Sequence, residues 1–162
     1  MQTTHFPRVL EIKRNKTELE KKLKVKIIIQ SHKIIIKGNT LDEFEASKVL
    51  DAINFGFSAK QAISLKDDFM TLKIINIKDF TKKKNLKIVR ARLIGRKGRT
   101  RRTIENISNC QLIIKDNEIG VIGDVESIDE VMTAVSNLVR GTKQSNTYRY
   151  LERMNKRRRL VQ

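Results

Sequence analysis

The chain has one cysteine, one proline, no tryptophan and two histidines among its 162 residues. A single thiol, Cys110, excludes both an internal disulfide and a thiolate metal cluster. At the start of an apolar strand it reads as a small core residue rather than a reactive group. His5 and His32 stand in unrelated contexts and do not make a metal site. Aromatic residues supply 5% of the chain, too few for a surface that stacks several bases in succession. No apolar run approaches the length of a membrane span, and Met1 is not followed by the apolar stretch of a secretory signal. The expectation is a soluble, intracellular protein of the cytoplasm, with no metal or cofactor.

Acidic residues are also scarce. The 18 Asp and Glu face 35 Lys and Arg, a net charge of +17, which points to a polyanionic partner. The excess is uneven: residues 1–69 carry 13 bases and 9 acids, residues 70–141 carry 15 and 8, and residues 142–162 carry 7 and 1. A hydrophobic fraction of 39%, mostly Ile, Leu and Val, is enough for a folded aliphatic core. Catalytic groups are missing. No nucleophile has a His or Lys base arranged near it, and the adjacent carboxylates Asp67 and Asp68 would point apart on a helix, so they read as surface linker. An enzyme is not expected.

The segment Phe6 to Ile12 reads as a short strand with Pro7 at its start, and Lys13 to Lys24 as a helix. Val25 to Gln30 and Lys33 to Lys37 form a hairpin around Ser31-His32. Thr40 with Glu43 reads as a capping box opening a helix whose buried face is Leu41, Phe44, Leu50 and Ile53, and Gly56 ends it. Ser58 caps a short helix through Leu65. Met70 to Lys78 is a strand, and after the basic turn described next, a second hairpin turns at Asp116-Asn117. Asp124 caps a helix with the apolar stripe Ile128, Val131, Met132, Val135, Leu138 and Val139, ended by Gly141.

These segments repeat. A shift of 85 positions places Gly38 on Gly123, Gly56 on Gly141, Ile28 on Ile113, Leu19 on Ile104 and Glu20 on Glu105. The same shift lays Gly95 to Gly98 on Leu10 to Lys13, which hold no glycine, and finds nothing to match Met70 to Lys84. The first copy therefore reads as reduced, without the helix before the turn. The expected architecture is α+β, with modules over 1–66 and 67–141 and a basic C-terminal helix or tail over 142–162.

The most informative stretch is Leu93-Ile94-Gly95-Arg96-Lys97-Gly98-Arg99-Thr100-Arg101-Arg102-Thr103-Ile104. Leu86, Val89 and Leu93 recur at helical spacing before it, and Ile104 and Ile107 continue the phase after it. The spacing between glycines is too short for a Walker loop, and no strand feeds it directly. A glycine-bounded basic turn between helices brings backbone N–H groups and cations to a nucleic-acid backbone. It resembles the GXXG clamp of a KH module, which holds about four nucleotides of single-stranded RNA. The alternative is a glycine-tightened turn with a solvated basic face.

Together with Asn76-Ile77-Lys78-Asp79-Phe80 before it and Tyr148-Arg149-Tyr150-Leu151-Glu152-Arg153 after it, this stretch resembles the tandem-KH ribosome-assembly proteins, the Dim-two or partner-of-Nob family, in its compact archaeal form. Gly56-Phe57-Ser58 with Asp67-Asp68 is similar to that family's linker, and the likeness spans residues 25–160. The resemblance implies two type I KH-like modules, the second complete; the first departs from the archaeal branch, whose members often keep a glycine loop there, because Leu10 to Lys13 hold no glycine. It implies binding to single-stranded small-subunit pre-rRNA near its 3′ end on the pre-ribosomal small subunit, and assistance to trimming by a separate Nob-type endonuclease. Arg96, Lys97 and Arg99 would take phosphates at the Gly95–Gly98 turn, beside Thr100. Lys87, Arg90, Arg101 and Arg102 would extend the basic surface, and a groove floored by Leu93, Ile94, Ile104 and Ile113 would hold the bases. Arg149 and Arg153 would be further RNA contacts on a segment where Tyr148, Leu151 and Met154 share a helical face. On composition alone, Lys156, Arg157, Arg158 and Arg159 are either phosphate contacts or a disordered solubilising tail. Two other functions fit the same residues: a general KH protein of translation, transcription or RNA decay, and a scaffold that recruits a protein through its first module.

Overall fold

The computed structural model describes residues 2–161, with side chains from position 5 onward; Met1 and Gln162, the ends of the predicted first module and tail, lie outside them. The chain divides into two compact units between Met70 and Thr71. The first contains β1 (Gln2–His5), α1 (Val9–Arg14), α2 (Lys16–Leu23), β2 (Lys26–Gln30), β3 (Lys33–Lys37), α3 (Thr40–Phe55) and α4 (Ala59–Ile63). Its antiparallel sheet has the order β1-β3-β2. The second contains β4 (Met70–Asn76, all but its first residue), α5 (Leu86–Ile94), α6 (Arg99–Ser108), β5 (Gln111–Lys115), β6 (Glu118–Asp124), α7 (Ile128–Arg140) and α8 (Gln144–Val161), with strand order β4-β6-β5. No helix among the described residues is long and apolar enough to cross a membrane.

The 85-residue shift survives in three dimensions. It carries β2 onto β5 residue for residue, and the left-handed residues Lys24 and Ser31 (φ 56° each) onto Asn109 and Asp116 (φ 58° and 52°). It carries one packing constraint as well. A Cβ on Gly38 would lie 2.9 Å from Val25 Cγ1, and one on Gly123 would lie 3.2 Å from Cys110 Cβ, with the Sγ closer still. Each glycine lets a strand pass under the residue that opens the hairpin. Cys110 is accordingly buried, between Ser108 and Ser127, and burial pushes its thiol up from the ordinary value.

The N-terminal segment departs from the sequence reading. Phe6 to Ile12 is not a strand: β1 precedes it, and Val9 and Ile12 are buried three apart on helix α1 while Leu10 faces solvent. Pro7, which has no N–H to give a ladder, sits in the turn between β1 and α1. The helix expected over Lys13 to Lys24 is two helices broken at Asn15, whose Nδ2 donates to the Glu11 carbonyl at 2.8 Å. The first unit has therefore kept a short helix in place of α5, and β1 stands at the same sheet edge as β4. A gapless shift hides both, because they lie closer to α2 than α5 and β4 lie to α6.

Three smaller corrections concern helix starts. Asn39, not Thr40, caps α3 by accepting the Asp42 N–H at 2.9 Å, while Glu43 accepts the Gly38 N–H at 3.1 Å. Leu41 and Phe44 are exposed (65% and 53%), and the buried face of α3 is Ala46, Val49, Leu50, Ala52 and Ile53. Asp124 accepts the Glu126 N–H in the turn before α7 rather than capping the helix itself. The strand expected to reach Lys78 ends at Asn76, where a 3-10 turn (Ile77–Asp79) begins. Ser58 and Gln61 form a complete capping box on α4.

Candidate nucleic-acid interface

The second unit's core fixes the two helices that bracket the basic turn. Val89 and Leu93 of α5 and Ile104 of α6 are buried together with Leu112, Ile119, Val121, Val131, Val135 and Leu138. The turn between them is short and tight. Gly98 N–H donates to the Gly95 carbonyl at 3.2 Å, and Arg99 N–H to that of Arg96. Three of its four residues have positive φ: Gly95 (φ 77°, ψ 173°), Lys97 (φ 55°, ψ 30°) and Gly98 (φ 75°, ψ 15°).

The two glycines do different work. Gly95 occupies a region open essentially to glycine alone, and a Cβ there would lie 2.6 Å from the Thr100 nitrogen and 2.7 Å from Thr100 Cβ. Its bare Cα lets the first turn of α6 pack down, which is why Thr100 is buried. Around Gly98 a Cβ would meet nothing nearer than Arg101 Nη2 at 4.0 Å. Gly98 leaves open space over the helix start. Lys97, a left-handed residue with a side chain, costs on the order of 1–2 kcal/mol, and Arg102 Nη2 holds its carbonyl at 2.8 Å.

The electrostatics at this point are one-sided. α6 starts at Arg99 with no side-chain cap and no acid in its first turn, although Arg99, Arg101 and Arg102 stand there. Cations at the positive end of a helix dipole oppose it by roughly 0.3–1 kcal/mol each. Arg101 offsets its share by pairing with Glu105 at 3.3 Å. Lys87, Arg96, Lys97 and Arg99 are exposed and form no ion pair among the described residues. Arg90 is engaged elsewhere: its Nη1 donates to the Asp116 carbonyl at 3.0 Å and ties α5 to the β5–β6 turn.

The predicted groove floor needs correction. Leu93 and Ile104 are core residues, so they support the surface from beneath. Ile94 and Ile113 reach the surface in part. The residue the sequence reading passed over is Ile88, 57% exposed on α5. Its signal is that it lies off the Leu86–Val89–Leu93 stripe, and Ala91 and Gly95 follow it at helical spacing. Within the described residues the tail is helical. It is α8, which packs on α6 and α7 and buries Leu151. Arg149, Arg153 and Lys156 line one open groove, and Arg157 and Arg159 are exposed. Arg158 is taken by Glu130 at 3.0 Å.

A β-α-α-β-β-α order, a three-stranded sheet and a glycine-bounded turn between the first two helices define the class: this is a mixed α+β protein of KH-like fold. The family model for the second KH domain of PNO1, described as a eukaryotic-type KH domain (KH-domain type I), matches residues 71–156. The chain is 30% identical over 145 residues to a KH domain-containing protein of Methanocaldococcus jannaschii, covering 85% of this chain and 64% of that protein. It is 30% identical over 142 residues to the pre-rRNA-processing protein pno1 of Emericella nidulans, covering 82% of this chain and 55% of that protein. A chain in the crystal structure of an a/eIF2alpha–aDim2p–rRNA complex from Pyrococcus horikoshii matches with a TM-score of 0.84 and 33% identity, over 96% of this chain and 94% of that one. The chain belongs to the PNO1/Dim2 family of KH-domain proteins. It spans less than two thirds of the length of both of these curated relatives.

Proposed function

We propose that this chain is a non-enzymatic ribosome-assembly factor built of two tandem type I KH modules. The second module clamps single-stranded small-subunit pre-rRNA near its 3′ end and assists maturation by a separate Nob-type endonuclease on the pre-ribosomal small subunit. The observation that carries the reading is the start of α6: an uncapped helix N-terminus that collects Arg99, Arg101 and Arg102 against its own dipole, under an open glycine at Gly98. Such an arrangement costs stability in isolation and is offset by a bound anion. Arg96, Lys97 and Arg99 take phosphates there. Ile88 and Ile94 offer the bases an apolar wall on α5, with the half-buried Ile113 strand beside them, and Lys87 and the groove-lining cations of α8 extend the path. Relatives named for pre-rRNA processing and for an rRNA complex support RNA as the polyanion.

The first unit has the same element order and strand order but joins its two helices through Asn15, with no glycine and no left-handed turn. It takes no phosphate in this reading.

The test is charge reversal of Arg96 and Lys97 to Asp. Both side chains are exposed, and Asp tolerates the left-handed backbone of position 97. Thermal stability should barely move. Affinity for a single strand matching the mature small-subunit 3′ end should fall at least about thirtyfold, near 2 kcal/mol. A scrambled strand of equal length should bind more weakly than the matching one. Unchanged affinity in a folded variant would remove the clamp, and equal binding of both strands would remove the 3′-end assignment.

A further inference from the structure

The internal repeat exposes a difference between the two units that RNA binding does not use. In the second unit α8 begins at Gln144, and 85 positions earlier α4 begins at Ala59. Both reach the same landmark: Asn155 Nδ2 donates to the Ile107 carbonyl at 3.2 Å, and Lys66 Nζ donates to the equivalent Lys22 carbonyl at 2.6 Å. There the first unit's segment stops, in a 3-10 turn (Ser64–Lys66), whereas α8 runs on to Val161. Its last turns cover the start of α7, where Met154, Arg157 and Arg158 lie beside Glu126 and Glu130 and Arg158 pairs with Glu130 at 3.0 Å.

Among the described residues, the equivalent positions in the first unit, Leu41 and Glu45, have no such cover. Leu41 and Phe44 stand exposed, with Lys48 Nζ lying over the Phe44 ring at 4.4 Å. The charge there runs against the rest of the protein. In a chain of net charge +17, α3 holds Asp42, Glu43, Glu45 and Asp51 against one Lys. An acidic rim around an apolar pair repels a polyanion and suits a cation-bearing partner with apolar anchors. A second copy's α8 does not fit, because Leu151 is already buried in its own unit.

We propose that the N-terminal half of α3, centred on Leu41 and Phe44 and rimmed by Asp42 and Glu45, is the docking face for a basic amphipathic helix of a partner protein. The helix lies on it as the last turns of α8 lie on α7. The contact is separate from the RNA clamp and stands or falls without it.

The test uses the full chain, isotopically labelled, and a synthetic peptide of residues 149–161 as the basic helix. A second peptide has Arg153, Lys156, Arg157, Arg158 and Arg159 replaced by Glu. The first peptide should shift backbone amides over residues 40–48. Its Kd should rise at least about tenfold in the Leu41→Ser/Phe44→Ser variant, whose changes are solvent-facing, and the reversed peptide should bind at least about tenfold more weakly to wild type. RNA affinity of the variant should equal that of wild type. Absent or misplaced shifts, or equal binding of the two peptides, would overturn the proposal. A loss of RNA affinity in the variant would reassign the face to RNA. A dimer seen by sedimentation and abolished in the variant would reassign it to a second copy.

Discussion

Glu105 Oε1 accepts the backbone N–H of Leu112 at 3.0 Å, and 85 positions earlier Glu20 Oε1 accepts that of Ile27 at 2.9 Å. Each carboxylate reaches from the helix before a hairpin to that hairpin's first strand. β5 and β2 are edge strands, so this N–H points away from the sheet and would otherwise lie without a partner. The same contact blunts the edge against pairing with another chain. It persists in both units although their turns have diverged, so its role belongs to the fold rather than to the ligand.

Replacing Glu105 with Ala should therefore destabilise the protein by about 1–3 kcal/mol, the cost of a stranded partly buried donor plus the lost Arg101 pair. Glu105→Gln keeps the acceptor and should cost about 1 kcal/mol or less. Urea unfolding of the two variants checks this. Equal loss in both would mean that the charge, not the strand contact, stabilises the unit.

Gly95→Ala and Gly98→Ala should not behave alike. The first drives a methyl into Thr100 from a backbone region that only glycine populates comfortably, and should cost at least about 3 kcal/mol or displace the start of α6. The second meets open space and pays only the left-handed penalty, about 1 kcal/mol. Thermal melts that rank them the other way would mean that Thr100 does not pack against Gly95.

What was legible in the sequence followed from period and punctuation. The 85-residue repeat reads directly because the spacing from Gly38 to Gly56 equals that from Gly123 to Gly141, and the second hairpin follows from its apolar runs around Asp116-Asn117. The N-terminus was not legible, since Val9 and Ile12 carry β-branched side chains and follow a proline, yet pack as a helix face. Leu41 and Phe44 satisfy a helical stripe that no element among the described residues covers, so pattern alone assigns them to a core they do not join. At the turn, Arg96, Lys97 and Arg99 reach solvent, whereas Leu93, Thr100 and Ile104 do not. A motif specifies which residues are near the loop, not which side chains the core consumes.

Cys110→Val offers a check on that core. Val25 is the equivalent residue in the first unit and packs over Gly38 as Cys110 packs over Gly123. The substitution should cost less than about 1.5 kcal/mol at neutral pH. It should also change the pH profile. Burial raises the native thiol above its unfolded value, so the unfolded chain loses its proton first. Wild-type stability is then fully present below the unfolded thiol's range and falls as pH rises through it, from about 8.5 upward. The Val variant should lack that component. Identical stability profiles between neutral and alkaline pH would show that the thiol ionises as freely in the folded protein.

The terminal basic cluster should separate into two kinds of residue. Lys156, Arg157 and Arg159 are exposed on a helix that Leu151 anchors, whereas Arg158 pairs with a Glu130 side chain that is 14% exposed. Changing Lys156, Arg157 and Arg159 together to Ser should leave stability within about 0.5 kcal/mol. The salt slope of single-stranded RNA binding should fall by up to about 0.7 per lost phosphate contact. Arg158→Ser should do the reverse. It strands a carboxylate mostly withdrawn from water, at a cost of about 1–3 kcal/mol, less than for a fully buried pair, and leaves the slope unchanged. The two measurements are denaturant unfolding and a salt titration of RNA affinity on the same two variants. A triple variant with an unchanged slope would make the cluster a solubilising surface. An Arg158 variant that keeps its stability but loses slope would place that guanidinium on the RNA instead of on Glu130.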